Sequence, residues 1–407
     1  MAERYVGIDL NEKYAVISYY ATGMSEPKTF SSTADSEVYR IPLCIAKKKE
    51  TDSGIYGGEA ERLSKEAQTL CVDGLLQKAL AEESVEFGET RYEAKELLFL
   101  FIKKLLELLP QSKTGLWPDK LVIVTEIMDR KSRNLFGSFA EWAKIRPESL
   151  LLLGCKESFY YYALSQTSEM NRFDVALCHY RFGKMFCWML SRDKRTVPQV
   201  VTIEESCYEA AGKERDEEFA EIAEALLAKR IVSCVYLVGD EFDGGWMKRS
   251  LNVICRGRRV FMGENLFSKG ACYAAVVRTG KKKWPYVYMG DDELRTNVGL
   301  QVEYQGKNEY LSLITAGENW YEAGGEYDVI LSGSPSVDFL FQAPDSREAV
   351  ARVIELPDLP KREDKMTRLR ISVKPLAVDK IRLCILDLGF GEFAQTSDKI
   401  WEYETTL

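Results

Sequence analysis

Residues 5–20 read YVGIDLNEKYAVISYY, two apolar β-prone runs on either side of the polar turn Asn11-Glu12-Lys13. That pattern predicts a β-hairpin, Tyr5–Leu10 against Tyr14–Tyr20. The same device returns further along the chain. FDVALCHY (173–180) and KMFCWMLS (184–191) flank Arg181-Phe182-Gly183, and VVTIEES (200–206) follows as a third strand. Behind each hairpin, helical and buried-strand patterns alternate. After the first come an amphipathic helix over 92–109 and the strand LVIVTEI (121–127). A helix over 132–145, the strand LLLLG (150–154) and the helix-like KESFYYYALSQ (156–166) complete the series. After the second come the helix DEEFAEIAEALLAKR (216–230), with acidic and basic ends that complement its dipole, and the strand IVSCVYLVGD (231–240). Alternation of this kind is the mark of α/β layers. Its recurrence predicts two similar lobes, over residues 1–168 and 169–280.

From residue 281 the pattern changes. Tyr288, Val298, Leu300, Val302, Tyr304, Tyr327, Val329, Phe339 and Phe341 lie in short runs between Gly, Asn, Asp, Ser and Pro turns. RLRISVKP and KIRLCILDL alternate apolar and polar residues, with Leu369, Ile371 and Val373 set against Ile381, Leu383 and Ile385. This predicts antiparallel sheet with one wet face, and residues 281–407 are assigned to a β-sandwich domain.

Composition narrows the function. At 407 residues the chain exceeds one core, and 46% hydrophobic with 29% charged residues is ordinary for a globular protein. No apolar run reaches the roughly 20 residues of a membrane span. MAERYVGIDL lacks the basic, apolar and small-residue order of a leader, so a cytoplasmic protein with no membrane partner is expected. A net charge of −8 argues against nucleic acid. Lys281, Lys282 and Lys283, and Arg256, Arg258 and Arg259, are read as solvated loops. The ten cysteines contain no C-x-x-C pair and are read as reduced core residues. The single histidine, His179, removes most zinc sites and any histidine-based triad unless His179 itself is the base, and no metal is expected.

Several of these stretches, in this order, resemble the actin and heat-shock chaperone (DnaK-type) superfamily. YVGIDL (5–10) resembles its first phosphate motif, whose Asp holds the nucleotide's metal through water. IYGGEAERLSKEA (55–67) looks like the small-residue turn and helix of the same lobe. VYLVGDEFDGGWMKRSL (235–251) resembles the adenosine motif, and ENLFSKGACYAA (264–275) the glycine-bearing helix that closes that lobe. RVIELPDLP, then RLRISVKPLAVDKIRLCILD, look like the last strands of the chaperones' peptide-binding sandwich. The resemblance spans nearly the whole chain. It implies a two-lobed actin-like (ribonuclease H-like) fold, ATP with magnesium as ligand, and Gly7, Asp9, His179, Gly183, Gly239 and Gly270 as the nucleotide-contacting positions.

The departures bear on activity. The family's Gly-Thr-Thr after the first Asp is here Asn11-Glu12-Lys13, and Glu12 brings negative charge toward any phosphate. The second phosphate motif has His179 in place of its Asp and keeps only Gly183. Asp240 and Glu241 replace a Gly and a Ser of the adenosine motif, and Lys156-Glu157-Ser158 stands for Glu-Pro-Thr. Residues 191–230 leave no room for the chaperones' mobile adenine-binding subdomain, and with Leu407 soon after the sandwich no trapping of a peptide by a helical lid is expected. The expectation is therefore a chaperone-like, non-catalytic scaffold (a pseudo-ATPase) with no cofactor and no catalytic residue, binding a protein or peptide partner. The alternative is a nucleotide-dependent chaperone or switch with an unorthodox ATP site, and a sugar-kinase-like protein ranks third. His179, Arg181 and Lys184 suit an anion if they converge and a solvated hairpin face if they do not. Phe159–Tyr162 is read as core, with a docking surface as the other possibility. The edges of the β domain either accept a peptide strand or are blunted against one.

Overall fold

The computed structural model describes every residue except 1–2, 34–36, 49–53, 66–68, 88–89, 111–114, 182, 210–213, 229, 240–241, 243–244 and 393. Phe182, Asp240 and Glu241, singled out above, lie outside the described residues. The chain divides into two compact units: residues 1–190 with 204–284, and residues 191–203 with 285–407.

Unit 1 opens with β1 (Arg4–Leu10), β2 (Tyr14–Ala21), β3 (Lys28–Thr29) and β4 (Ile41–Pro42). An insertion follows, made of the small sheet β5 (Ile45–Lys48), β6 (Gly54–Tyr56) and β7 (Thr69–Val72) with α1 (Gly57–Leu63) and α2 (Leu75–Leu80). The hairpin β8 (Ser84–Phe87) and β9 (Thr90–Glu93) ends it. Then come α3 (Ala94–Glu107), β10 (Lys120–Thr125), α4 (Arg130–Ala143), β11 (Leu150–Gly154) and α5 (Cys155–Ser165). The strand order is β11-β10-β1-β2-β3, with β1, β10 and β11 parallel and β2 antiparallel to β1. All seven residues of β1 are buried, as expected of a parallel strand covered on both faces. The amphipathic spacing read in the sequence places Leu98, Phe101, Ile102, Leu105 and Leu106 of α3 in the core. Asp129 starts α4 by accepting a hydrogen bond from the Ser132 N–H at 2.8 Å.

The second half repeats the plan. It holds β12 (Asp174–Arg181), β13 (Lys184–Asp193), β14 (Gln199–Glu209), α6 (Arg215–Leu227), β15 (Val232–Val238), α7 (Arg249–Ile254), β16 (Arg259–Met262) and α8 (Leu266–Arg278). Its order, β16-β15-β12-β13-β14, matches the first half position for position, with β12, β15 and β16 parallel. Helix α6 stops at Leu227, so the basic last turn expected there does not exist. Arg230 instead bridges Asp174 and Glu204 at 3.3 and 2.5 Å. The aromatic run is core: Phe159, Tyr160 and Tyr161 are buried. The expectation that the cysteines are core needs correction at Cys207 and Cys255, which are exposed, whereas Cys44, Cys178, Cys187, Cys234 and Cys272 are buried. Cys207 lies among Glu204, Glu205, Ser206 and Glu209 on the exposed end of β14, and Cys255 lies at the end of α7, just before the basic loop from Arg256.

Unit 2 adds β17 (Tyr286–Tyr288), which pairs with Gln199–Val201, and two four-stranded antiparallel sheets. One is β18 (Asn297–Tyr304), β19 (Lys307–Ile314), β21 (Ser336–Gln342) and β22 (Val350–Glu355), in the order β19-β18-β21-β22. The other is β20 (Gly325–Leu331), β23 (Thr367–Ala377), β24 (Lys380–Gly389) and β25 (Ile400–Thr406), in the order β20-β23-β24-β25. Ile371 faces Ile385 and Val373 faces Leu383, and all four join Val298, Leu300, Phe339 and Phe341 in one core. The β22 and β25 margins are sealed: Arg352 donates to Thr405 and Thr406, and the Tyr403 hydroxyl donates to the Glu355 carbonyl at 2.9 Å. Toward β19 and β20 the sandwich holds a groove of about 1010 Å³ lined by Val302, Tyr304, Leu311, Tyr327, Val329 and Leu331. Among the described residues no helix is long and apolar enough to cross a membrane, and no three His, Cys, Asp or Glu side chains are grouped to hold a metal.

Candidate functional site

The carboxyl ends of all six parallel strands of unit 1 meet at one cavity, which is where open α/β sheets place ligands. Asp9 ends β1, Glu126 follows β10 and Cys155 follows β11. Arg181 ends β12, Gly239 follows β15 and Glu264 follows β16, and all six line the cavity with Lys13, Tyr14, Arg40, His179 and Phe267. The space is about 100 Å³, below the roughly 300 Å³ at which small-molecule sites begin.

Four features explain the small volume. The Arg40 guanidinium, over the Tyr14 ring at 4.9 Å, reaches across to Glu264 at 3.0 Å. Arg181, over Phe186 at 4.5 Å, pairs in the opposite sense with Glu126. The His179 ring packs against both Trp188 (6.2 Å) and Phe267 (5.8 Å) in a three-ring cluster. The turn after β1 closes on itself: the Asn11 side-chain oxygen accepts from the Lys13 and Tyr14 N–H groups, both at 2.9 Å. Those are the donors that a phosphate would need from such a turn.

Of the six positions taken from the sequence, Asp9, His179 and Gly239 reach the cavity. Gly7 lies beneath α8, where a Cβ would stand 2.2 Å from the Ser268 carbonyl. Gly270 lies against α5, 2.2 Å from the Ser158 carbonyl by the same measure. Gly183 turns the β12–β13 hairpin with φ +70° and is not part of the lining. Gly239, at φ +120°, passes so close to Tyr180 that a Cβ would stand 2.1 Å from its carbonyl oxygen. The three bases considered for an anion do not converge, since Lys184 turns to Glu209 at 2.8 Å and Arg181 to Glu126. Sequence reading missed Glu126, Glu264 and Cys155. A signal was available for Glu126 and Cys155, which directly follow the apolar runs LVIVT and LLLLG, but not for Glu264, which lies two residues beyond the partly exposed β16. Arg40 had none.

Burial pushes the Asp9 carboxyl up to about 7, against the pull of Arg40. Burial, with Asp9 alongside, raises the Cys155 thiol, which donates to the Thr125 carbonyl at 3.6 Å. A thiol held protonated is no nucleophile at neutral pH. For Asp9 the sign is definite. The folded state holds its proton to higher pH than the unfolded chain, so stability falls as pH rises from about 4 to 7 and the full cost persists above 7. Asp9→Asn is therefore expected to stabilise unit 1 at pH 8 by on the order of 3 kcal/mol, and far less at pH 4. Denaturation midpoints at the two pH values check this, and an equal effect at both would contradict it.

Residues 26–291 match a family model described as family of unknown function (DUF5716) C-terminal. Residues 293–407 match one described as domain of unknown function (DUF8552). No curated protein matches the chain. Among solved structures, MreB 5 of Spiroplasma citri bound to AMPPNP is similar at 13% identity and a TM-score of 0.31. That similarity covers 56% of this chain and 59% of MreB 5, so the chain spans less than two thirds of that protein's length.

Proposed function

We propose that this chain, which belongs to the family of unknown function DUF5716, is a non-catalytic, chaperone-like scaffold on an actin-like unit that binds an extended protein or peptide segment. The observation that carries this reading is the cavity of about 100 Å³ at the strand ends, crossed by two ion pairs where the family resemblance calls for nucleotide. The duplicated strand order and the close packing of α5 on α8 support the actin-like class. Support for a peptide partner comes from unit 2, whose groove of about 1010 Å³ has half-buried apolar walls beside β19 and β20. Among the described residues each of these strands ends its sheet, with one hydrogen-bonded neighbour strand. Its lining also carries Glu303, Glu309, Asp328 and Asp338 against Lys365. A strand with alternating aliphatic side chains and basic flanks complements such walls and rim.

Two measurements test the proposal. Millimolar ATP or ADP with magnesium is expected to leave the unfolding temperature unchanged. A ligand at 100 times its dissociation constant adds about 2.7 kcal/mol, so a shift of several degrees that disappears in Asp9→Ala revives the nucleotide switch. In the second, a fluorescein-labelled peptide of alternating Leu and Thr with Lys at both ends is titrated into the protein. Saturable binding, weakened about tenfold (~1.4 kcal/mol) by Tyr304→Asp, is expected, since Tyr304 is 58% exposed and its replacement spares the core. No saturation at millimolar protein overturns the peptide reading.

A further inference from the structure

We infer that the two ion pairs at the cavity form a latch that holds the two halves of unit 1 closed without any ligand. Among the described residues the halves are joined both by close packing at the base and by charged pairs around the cavity. At the base, α8 packs on β1 and α5 so closely that Gly7 and Gly270 have no space for a methyl group, and the Ser158 hydroxyl donates to the Phe267 carbonyl at 2.6 Å. Contacts of that kind behave as one packed body and do not slide. At the cavity the joint is electrostatic. The first half supplies Arg40 and Glu126 to the two pairs, and beside them its Lys156 also pairs with Glu205 of the second half at 3.2 Å. The second half supplies one acid, Glu264, and one base, Arg181. The two pairs are reciprocal, so through them each half meets complementary charge twice. Ligand-driven closure needs a molecule that touches both halves. Here the side chains make those contacts themselves, with each guanidinium further fixed over an aromatic ring, Tyr14 or Phe186.

The position of the pairs gives the latch a consequence. Each charged group sits just beyond a strand end or in the loop before β4, whereas the base is built of sheet and helix backbone. Breaking the pairs leaves the base intact and frees only the strand-end turns, so opening is a hinge motion about α5 and α8. All four charged side chains are between 20% and 30% exposed, so salt reaches them and weakens them.

Hydrogen exchange of the whole chain, read at the amides of residues 11–14 and 264–267, tests the latch. Arg40→Glu with Arg181→Glu is expected to speed exchange there about tenfold, at roughly a few-fold per pair, while β1 and β10 keep their protection. Adding Glu264→Arg and Glu126→Arg, which swaps both pairs, is expected to restore the slow rate. In the native chain, raising NaCl from about 0.05 to 1 M is expected to speed the same amides. A double variant within twofold of native, or a swapped chain that stays fast, overturns the latch. If the double variant does not fold, the salt series decides alone, and rates independent of salt overturn it.

Discussion

Gly7→Ala is expected to lower the stability of unit 1 by about 3 kcal/mol or more, and the unfolding temperature by about 8 °C. The added methyl would stand 2.2 Å from the Ser268 carbonyl oxygen, 2.6 Å from the Ala271 Cβ and 3.1 Å from the Cys272 nitrogen. None of the three is the end of a flexible side chain, so relief requires α8 to lift from β1. That motion would disturb the hydrogen bond between Ser18 and Ser268 at 2.7 Å and the packing of Gly270 on Ser158. Gly137→Ala is the control. Gly137 is exposed in the middle of α4 with nothing within 4 Å of its added Cβ, and the change should stabilise by about 0.5–1 kcal/mol. Thermal unfolding of the three proteins decides, and a Gly7→Ala chain within about 2 °C of native would sink the claim that the joint has no slack.

Asp387→Ala is expected to destabilise unit 2 by about 3–5 kcal/mol. The Asp387 carboxylate is fully buried and accepts from the Arg362 guanidinium at 2.8 and 2.7 Å, from the Ser397 hydroxyl at 2.6 Å, and from the Gly389 and Ser397 N–H groups at 2.9 and 3.0 Å. Removing the acid leaves the Arg362 charge, 8% exposed, without its counterion. Burial alone would raise the Asp387 pKa, yet Arg362, Ser397 and Gly389 outweigh it and hold the carboxyl well below its ordinary value. The stability this gives is present above about pH 4 and is lost as pH falls toward the folded value. Urea midpoints for unit 2 in the native chain should therefore fall below pH 4, while those of the variant, already low, should change little across the same range. A variant with native midpoints at pH 7 would show that the pair contributes nothing.

The two behaviours of buried Asp separate what a sequence carries from what it does not. In the sequence, Asp9 in GIDL and Asp387 in ILDLG both sit at the end of an apolar strand. Asp9 is buried with the pull of Arg40 too weak to offset burial, and its acidity falls, whereas Asp387 is met by five donors and its acidity rises. Arg40 and Arg362 come from loops 31 and 25 residues away (40 minus 9, 387 minus 362) that carry no periodic signal.

By itself the sequence determined the alternation of strands and helices in unit 1 at the places where apolar runs are long, but not the insertion between β4 and α3 or the short strand β16. It also determined the repeated hairpin at Tyr5 and Phe173, the change to alternating sheet after residue 281, and the placing of Asp9, His179 and Gly239 at strand ends. These follow from local rules, because apolar spacing, turn residues and the topology of parallel strands act over a few residues or between neighbouring strands. Only the tertiary structure decided that the strand-end cavity is nearly full, that Arg40 and Arg181 find acids in the opposite half, and that Gly7 and Gly270 serve helix packing. Those outcomes depend on which side chains meet across separations that run from 55 residues, between Glu126 and Arg181 (181 minus 126), to more than 200 in the chain. At those separations the packing of whole elements selects the partners, and no local pattern encodes it.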